Sequence, residues 1–287
     1  MDIGICTSIG VAFGDPENAL RQISEAGFTH ILWSHQWNTD FAYGKHEIAA
    51  IKSMLKRYNL KIQDVHGCAN AEKSFFSPIE YQRKAGIDLI INRIEMMKEL
   101  SASGVLVMHQ PRIRDNSTPE QIAYKRTQFE SLLRSMDELI PILEKLDARI
   151  ALENMPGDTW EFQSYLLDNY PEKYFGFCFD SGHANINYQL DKCLKYCKRI
   201  MALHLHDNDG MNDKHISPFS GSLDWKLTAE IIKNSGYAGV LTYELHIKES
   251  PFMNKEFPLD KQPEENTKAF LDDALIRCRK FAEMCGR

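Results

Sequence analysis

A (β/α)8 barrel with polar side chains gathered at one rim is the fold this sequence predicts, and three observations predict it. Short apolar runs of strand length alternate with amphipathic runs of helix length along the 287 residues, the pattern of parallel strands joined by crossover helices. The first strand-like run is followed by no glycine-rich phosphate loop, which a doubly wound nucleotide-binding sheet would want. Histidines and carboxylates stand at the ends of six different runs, and a closed barrel brings such ends to one circular rim.

The elements follow in order. I-G-I-C-T-S (3–8) is strand-like, and P-E-N-A-L-R-Q-I-S-E-A-G (16–27) is helical. In that helix Ala19, Leu20, Ile23 and Ala26 share a face and Gly27 suits a C-cap. H-I-L-W-S (30–34) precedes H-E-I-A-A-I-K-S-M-L-K-R-Y-N (46–59), whose Ile48, Ile51, Met54 and Leu55 share a face. K-I-Q-D-V-H-G (61–67) leads to a long helix over about residues 78–102. G-V-L-V-M-H-Q (104–110) leads to another from Pro119, which Pro141 is expected to interrupt. R-I-A-L-E-N, F-G-F-C-F-D, M-A-L-H-L-H-D and V-L-T-Y-E-L, ending at residues 154, 180, 207 and 245, complete eight strands, each followed by helix. The longest irregular stretch, residues 248–264, holds Phe252, Phe257 and three prolines, and its length suggests a lid. With no repeat, low-complexity segment or linker, residues 1–287 read as one domain.

Bulk properties narrow the function. A net charge of −6 and a pI near 5.9 without any basic run disfavour duplex nucleic acid as partner. A small polar substrate fits better. Seven cysteines without C-x-x-C spacing read as reduced and structural, which points to the cytoplasm. The N-terminus lacks the basic region and long apolar core of a signal peptide. No stretch approaches the roughly 18 apolar residues of a membrane span.

Nine candidate metal ligands carry the chemistry: His66, His109, Glu153, Asp180, His183, His206, Asp213, His215 and Glu244. Glu153 and Glu244 close apolar strands, where a carboxylate must be paired, protonated or metal-bound. In D-S-G-H (180–183) a tight glycine turn can aim Asp180 and His183 at one centre. His204 and His206 share a strand face by the period-two rule, with His206 nearer the rim and His204 expected a layer below. Asp207 and Asp209 could orient His206 or form an Asx turn. His35, with Trp33 and Trp37, could line the pocket or pack beneath a loop, and His30 and His46 read as surface residues. The nine side chains carry a formal charge of about −4 with neutral imidazoles. One divalent ion would leave about −2, suited to a neutral polyol, and three would leave about +2, suited to a phosphate ester. Nine ligands exceed what one ion takes, so either several metals bind or the surplus histidines recognise substrate.

Nearly the whole chain resembles the xylose-isomerase-like superfamily of metal-dependent barrels. The segments that carry the resemblance are A-L-E-N (151–154), F-D-S-G-H (179–183), L-H-L-H-D-N-D-G (203–210), D-K-H (213–215) and Y-E-L (243–245). Its sugar isomerase and epimerase branch implies a sugar or sugar phosphate as substrate. It also implies one divalent ion (manganese, cobalt, magnesium or zinc) on Glu153, Asp180, His206 and Glu244. Glu153 and Glu244 would be the catalytic acid/base pair and His183 would bind substrate oxygens. From their own positions in the sequence, His66, His109, Trp33 and His35 are expected as further substrate contacts. The endonuclease IV branch implies instead up to three zinc ions and phosphoester hydrolysis, with His66, His109, His183, Asp213 and His215 joining the ligands. The chain departs from both patterns: N-D-G-M-N-D-K-H lacks the arginine of ketose epimerases, and F-S-G-S replaces the G-E-G of the nucleases. A homo-oligomer is expected by base rate alone.

Overall fold

The computed structural model describes residues 1–10, 14–68 and 72–287. Eight strands form in chain order: β1 (Ile3–Cys6), β2 (His30–Trp33), β3 (Lys61–His66), β4 (Val105–Met108), β5 (Arg149–Glu153), β6 (Phe175–Asp180), β7 (Ile200–His204) and β8 (Leu241–Tyr243). All neighbours pair in parallel, in the order β7-β6-β5-β4-β3-β2-β1-β8. The ring closes where Leu205 bridges Tyr243 in parallel, with the Leu205 amide donating to Thr242 O at 3.0 Å and the Glu244 amide to Leu205 O at 3.1 Å. The molecule is therefore a (β/α)8 barrel, as the alternation of runs predicts.

The outer layer comprises α1 (Glu17–Ala26), α2 (Lys45–Arg57), α3 (Glu80–Glu99), α4 (Pro119–Leu146), α5 (Glu161–Asn169), the short α6 (Ser181–Asn185) and α7 (Leu190–Lys195), α8 (Trp225–Ser235) and α9 (Glu264–Met284). Leu20 and Ile23 of α1 are fully buried, and Gly27 ends that helix in the left-handed region at φ 97°. Thr118 and Gln121 form a reciprocal capping box at the start of α4. The expected break at Pro141 does not occur, since α4 runs unbroken through it. Pro141 and Asp137 both lie on the exposed side of α4, where water can replace the helical hydrogen bond that proline removes.

Two kinds of packing set up the rim. Strand residues facing the helices are large and apolar, among them Leu106, Phe177, Phe179 and Leu203, all fully buried. A second cluster, Val105, Val107, Ala151, Cys178 and Ala202, consists of smaller residues in alternate positions of β4 to β7, as the confined inside of a barrel requires. Continuing that alternation towards the C-terminal ends gives His109, Glu153, Asp180, His204 and His206. A bulge in β7 fixes the level of the last two. Phe177 pairs with Ile200 but Cys178 pairs with Ala202, and the residue skipped, Met201, places Asp180 opposite His204.

No disulfide forms among the described residues, and all seven cysteines are buried. No described helix is long and apolar enough to cross a membrane. Residues 248–264 are pinned to the body: Asn266 donates from its side chain to Phe252 O (2.9 Å). Within the segment, Gln262 donates to the carbonyls of Asn254 (3.0 Å), Phe257 (3.0 Å) and Pro258 (3.2 Å), which folds it on itself.

Candidate metal centre

Strand ends, helix α6 (His183) and the β7–α8 loop (Asp213, His215) bring all nine sequence candidates into one connected cluster, and Glu153 is its hub. This carboxylate is 1% exposed and lies 3.2 Å from His183 Nδ1, 3.3 Å from His109 Nε2, 3.5 Å from His204 Nδ1 and 3.6 Å from His66 Nε2. Asp180 is fully buried. It accepts the His183 amide at 2.7 Å, capping α6, and meets His206 Nε2 at 3.0 Å. Asn154 holds Asp180 in place through two backbone bonds, receiving the Asp180 amide at 2.8 Å and donating to its carbonyl at 2.9 Å. Asp213 bridges His183 Nε2 (3.1 Å) and His215 Nε2 (3.3 Å). His215 Nδ1 approaches the Glu244 carbonyl at 3.0 Å, and its ring stacks on that of His206 with centroids 3.9 Å apart.

Four groups of donors lie close enough to hold ions, with donor atoms within 4.8 Å of one another inside each group. They are His66, His109 and Glu153; Glu153, Asp180, His204 and Glu244; His183, His206, Asp213 and His215; and His215, Glu244 and His246. Glu153, Glu244 and His215 are each shared. The group containing both glutamates is completed by His204, whose Nδ1 is 3.2 Å from Glu244 Oε2, whereas His206 shares Asp180 and belongs with the Asp213 histidines. His204 was expected below the rim; it is indeed buried, yet the bulge at Met201 raises it to the level of Asp180. His246, stacked on His215 at 4.4 Å, escaped sequence reasoning, although it lies two residues beyond Glu244, at the next position of the same alternation.

Two expected substrate contacts are not brought to the cluster. Trp33 is fully buried and its indole donates to Tyr43 Oη at 3.0 Å, so packing consumes it. His35 is engaged by Gly14 O (2.7 Å) and Tyr43 Oη (3.2 Å) and lines a separate groove with Thr7, Ile9 and Leu259. Trp37 takes the place expected of them, its ring 4.9 Å from His66 and 5.6 Å from His109. Asp207 does not orient His206 with its carboxylate. That carboxylate instead collects four donors, the amides of Asn208, Gly221 and Leu223 and the Trp225 indole, and so shapes the β7–α8 loop.

The electrostatics favour a cation. Burial opposes ionisation of Glu153 and Glu244, but the surrounding imidazoles, His204 first among them, hold both carboxyls well below their usual range. Burial likewise opposes charging of His183, yet Asp180 and Asp213 raise its pKa, and Asp213 and Glu244 bring His215 to about 9. No lysine or arginine among the described residues pairs with Glu153, Asp180 or Glu244; their near partners are imidazoles. Glu153 Oε2 and both ring nitrogens of His204 are buried without a hydrogen bond. Buried carboxylates with orphaned donor atoms are what a divalent cation satisfies, and the mixed imidazole–carboxylate set suits zinc or manganese.

Asp158, in the β5–α5 loop beyond the cluster, is raised to about 6 by burial, while its Oδ2 finds no partner. Its carboxyl ionises later in the folded state than in the unfolded one, so stability is lost as pH rises from about 4 to about 6. Asp158→Asn is expected to stabilise the protein by about 1–3 kcal/mol at pH 8 and to change nothing at pH 4. Urea unfolding at the two pH values would expose an equal effect at both as a failure of this account.

The chain matches the model of the family described as "Xylose isomerase-like TIM barrel" over residues 20–281. It belongs to that family. Among curated relatives it is 23% identical to fructoselysine 3-epimerase of Shigella flexneri over 277 residues, covering 90% of this chain and 94% of that protein. Among solved structures it superposes on a D-tagatose 3-epimerase-like protein with TM-score 0.70, at 22% identity, covering 98% and 100% of the two chains. It superposes also on the IOLI protein with a bound zinc atom, with TM-score 0.69, at 16% identity, covering 100% and 98%.

Proposed function

We propose that this protein is a metal-dependent isomerase or epimerase of a sugar or sugar phosphate. The observation that carries the reading is the pairing of Glu153 and Glu244. These carboxylates come from strands on opposite flanks of His204 and reach the same buried donor group, at 3.5 and 3.2 Å from its Nδ1. When bound, a divalent ion there would polarise a carbonyl and its neighbouring hydroxyl, making the adjacent C–H more acidic. One glutamate then takes the proton from that carbon and the other returns a proton to the opposite face or to the next carbon. The Glu244 side chain is 11% exposed against 1% for Glu153, so Glu244 meets an entering substrate first. His183, beside Glu153, is able to donate to hydroxyls, and Trp37, against His66 and His109, offers an apolar wall to a sugar face. The epimerase relatives support the same chemistry.

A panel of ketoses and ketose phosphates incubated with the protein in deuterated water tests this. Deuterium is expected at a carbon adjacent to the carbonyl of at least one of them. A second reading, multi-zinc phosphoester hydrolysis, is favoured by the His66–His109–Glu153 and His183–His206–Asp213–His215 groups that flank the glutamate pair. Close to three zinc ions per chain by elemental analysis, with cleavage of a phosphoester and no exchange into any ketose, would establish that second reading against the first.

A further inference from the structure

A cleft of about 510 Å³ opens beside the donor cluster, lined by Arg114, Gly157, Asn187, Met211 and Asp213 among others. The loops after β4, β5, β6 and β7 each contribute to it, and Asp213 is its wall against the metal groups. The loop carrying Arg112 and Arg114 is held in place by its backbone: the Thr159 amide donates to Ile113 O at 2.8 Å, and Arg114 and Ser117 exchange bonds at 2.9 and 3.0 Å. The guanidinium groups are not so engaged. Neither forms an ion pair or side-chain hydrogen bond among the described residues. Arg112 is half-buried, within electrostatic reach of Arg114, Asp158, Asp213 and Glu153. Burial and then repulsion by Arg114 make its charge harder to keep. Lys125, held by Gln128 at 2.9 Å, adds a third cation felt by both arginines. Asp213 offers Arg112 little relief, being engaged by His183 and His215, and exposed Asp115 borders the cleft without pairing with either arginine.

A guanidinium without an ion pair at the wall of a cleft, Arg114, on a loop held by its backbone and with half-buried Arg112 two residues before it, is a receptor for an oxyanion, and the arginine fork matches phosphate in particular. We propose that Arg112 and Arg114 form an anion subsite beside the donor cluster and that it takes the phosphate of a sugar phosphate. The nature of the ligand rests on the isomerase/epimerase reading; the anion subsite itself does not. Three cations in a chain of net charge −6 suit one phosphate group better than the repeated phosphates of a duplex.

Calorimetric titration of the protein, with its metal as purified, by inorganic phosphate tests the subsite without turnover. Arg112→Gln and Arg114→Gln are each expected to weaken phosphate binding by about tenfold or more, with metal content and circular dichroism unchanged. A ketose phosphate should displace the phosphate and its unphosphorylated parent should not. Equal binding by wild type and both variants, or no binding at all, would overturn the subsite. Displacement by a duplex oligonucleotide at lower concentration than by any ketose phosphate would overturn its assignment to a small sugar. Arginine-dependent phosphate binding without deuterium exchange into any ketose would uphold the subsite and reject the isomerase reading.

Discussion

Glu153→Gln is expected to remove metal from the protein and to lower turnover by about 10²–10⁴-fold while leaving the barrel folded. The carboxylate lies within 3.6 Å of four imidazoles and belongs to two of the candidate metal groups. Gln keeps its volume but replaces one acceptor oxygen with a donor and removes the negative charge that offsets the cation. Among the described residues no lysine or arginine forms an ion pair with it, its close partners being imidazoles. Elemental analysis beside circular dichroism reads the two effects separately. Wild-type metal content in a folded variant would remove Glu153 from the centre, and wild-type turnover would remove it from the chemistry.

The second large effect is expected from Gly182→Ala. A Cβ at this position would lie 1.9 Å from Cε1 and 2.3 Å from Nδ1 of His206. The His206 ring has little room to retreat, because His215 stacks against it at 3.9 Å and His246 stacks on His215 in turn. Its backbone is also clamped, the Ser181 hydroxyl accepting the His206 amide at 3.0 Å and donating to its carbonyl at 2.9 Å. Overpacking of this kind costs about 1–3 kcal/mol, and displacing the ring should lower metal affinity by about tenfold or more. Urea unfolding and metal titration would measure both. A variant indistinguishable from wild type would mean that the imidazole does not rest on Gly182.

The glycine in D-S-G-H reads in the sequence as a tight turn; in the structure it lies in helix α6, as the floor beneath a histidine from the next strand. That contrast separates what the sequence carries from what it hides. Strand ends were legible because alternation within a strand is local, and it places His109, Glu153, Asp180 and Glu244 without knowledge of neighbours. Which histidine of L-H-L-H joins the two glutamates depends on registration between β6 and β7, set by a one-residue bulge at Met201 that leaves no mark in the composition. Beside His35 the expected substrate contact is Trp33, yet Tyr43 claims its indole and it is Trp37 that the His66 and His109 rings flank. Pro141 looked like a helix break because the rule is local, and its exposed position made it harmless. Arg112 and Arg114 drew no notice at all, since their significance is the absence of partners.

The closure of the ring between Leu205 and Tyr243 has a consequence for biosynthesis. Glu244 lies just past that seam, on the strand that must find β1 more than two hundred residues earlier in the chain. Pairings of such sequence separation form slowly, and a ribosome delivers them last. Until β8 emerges, Glu153, Asp180 and His204 share the nascent chain without the fourth member of their group. The donor group that holds both glutamates is thereby completed last, whereas the His66–His109–Glu153 and His183–His206–Asp213–His215 groups are already in the chain when β8 emerges.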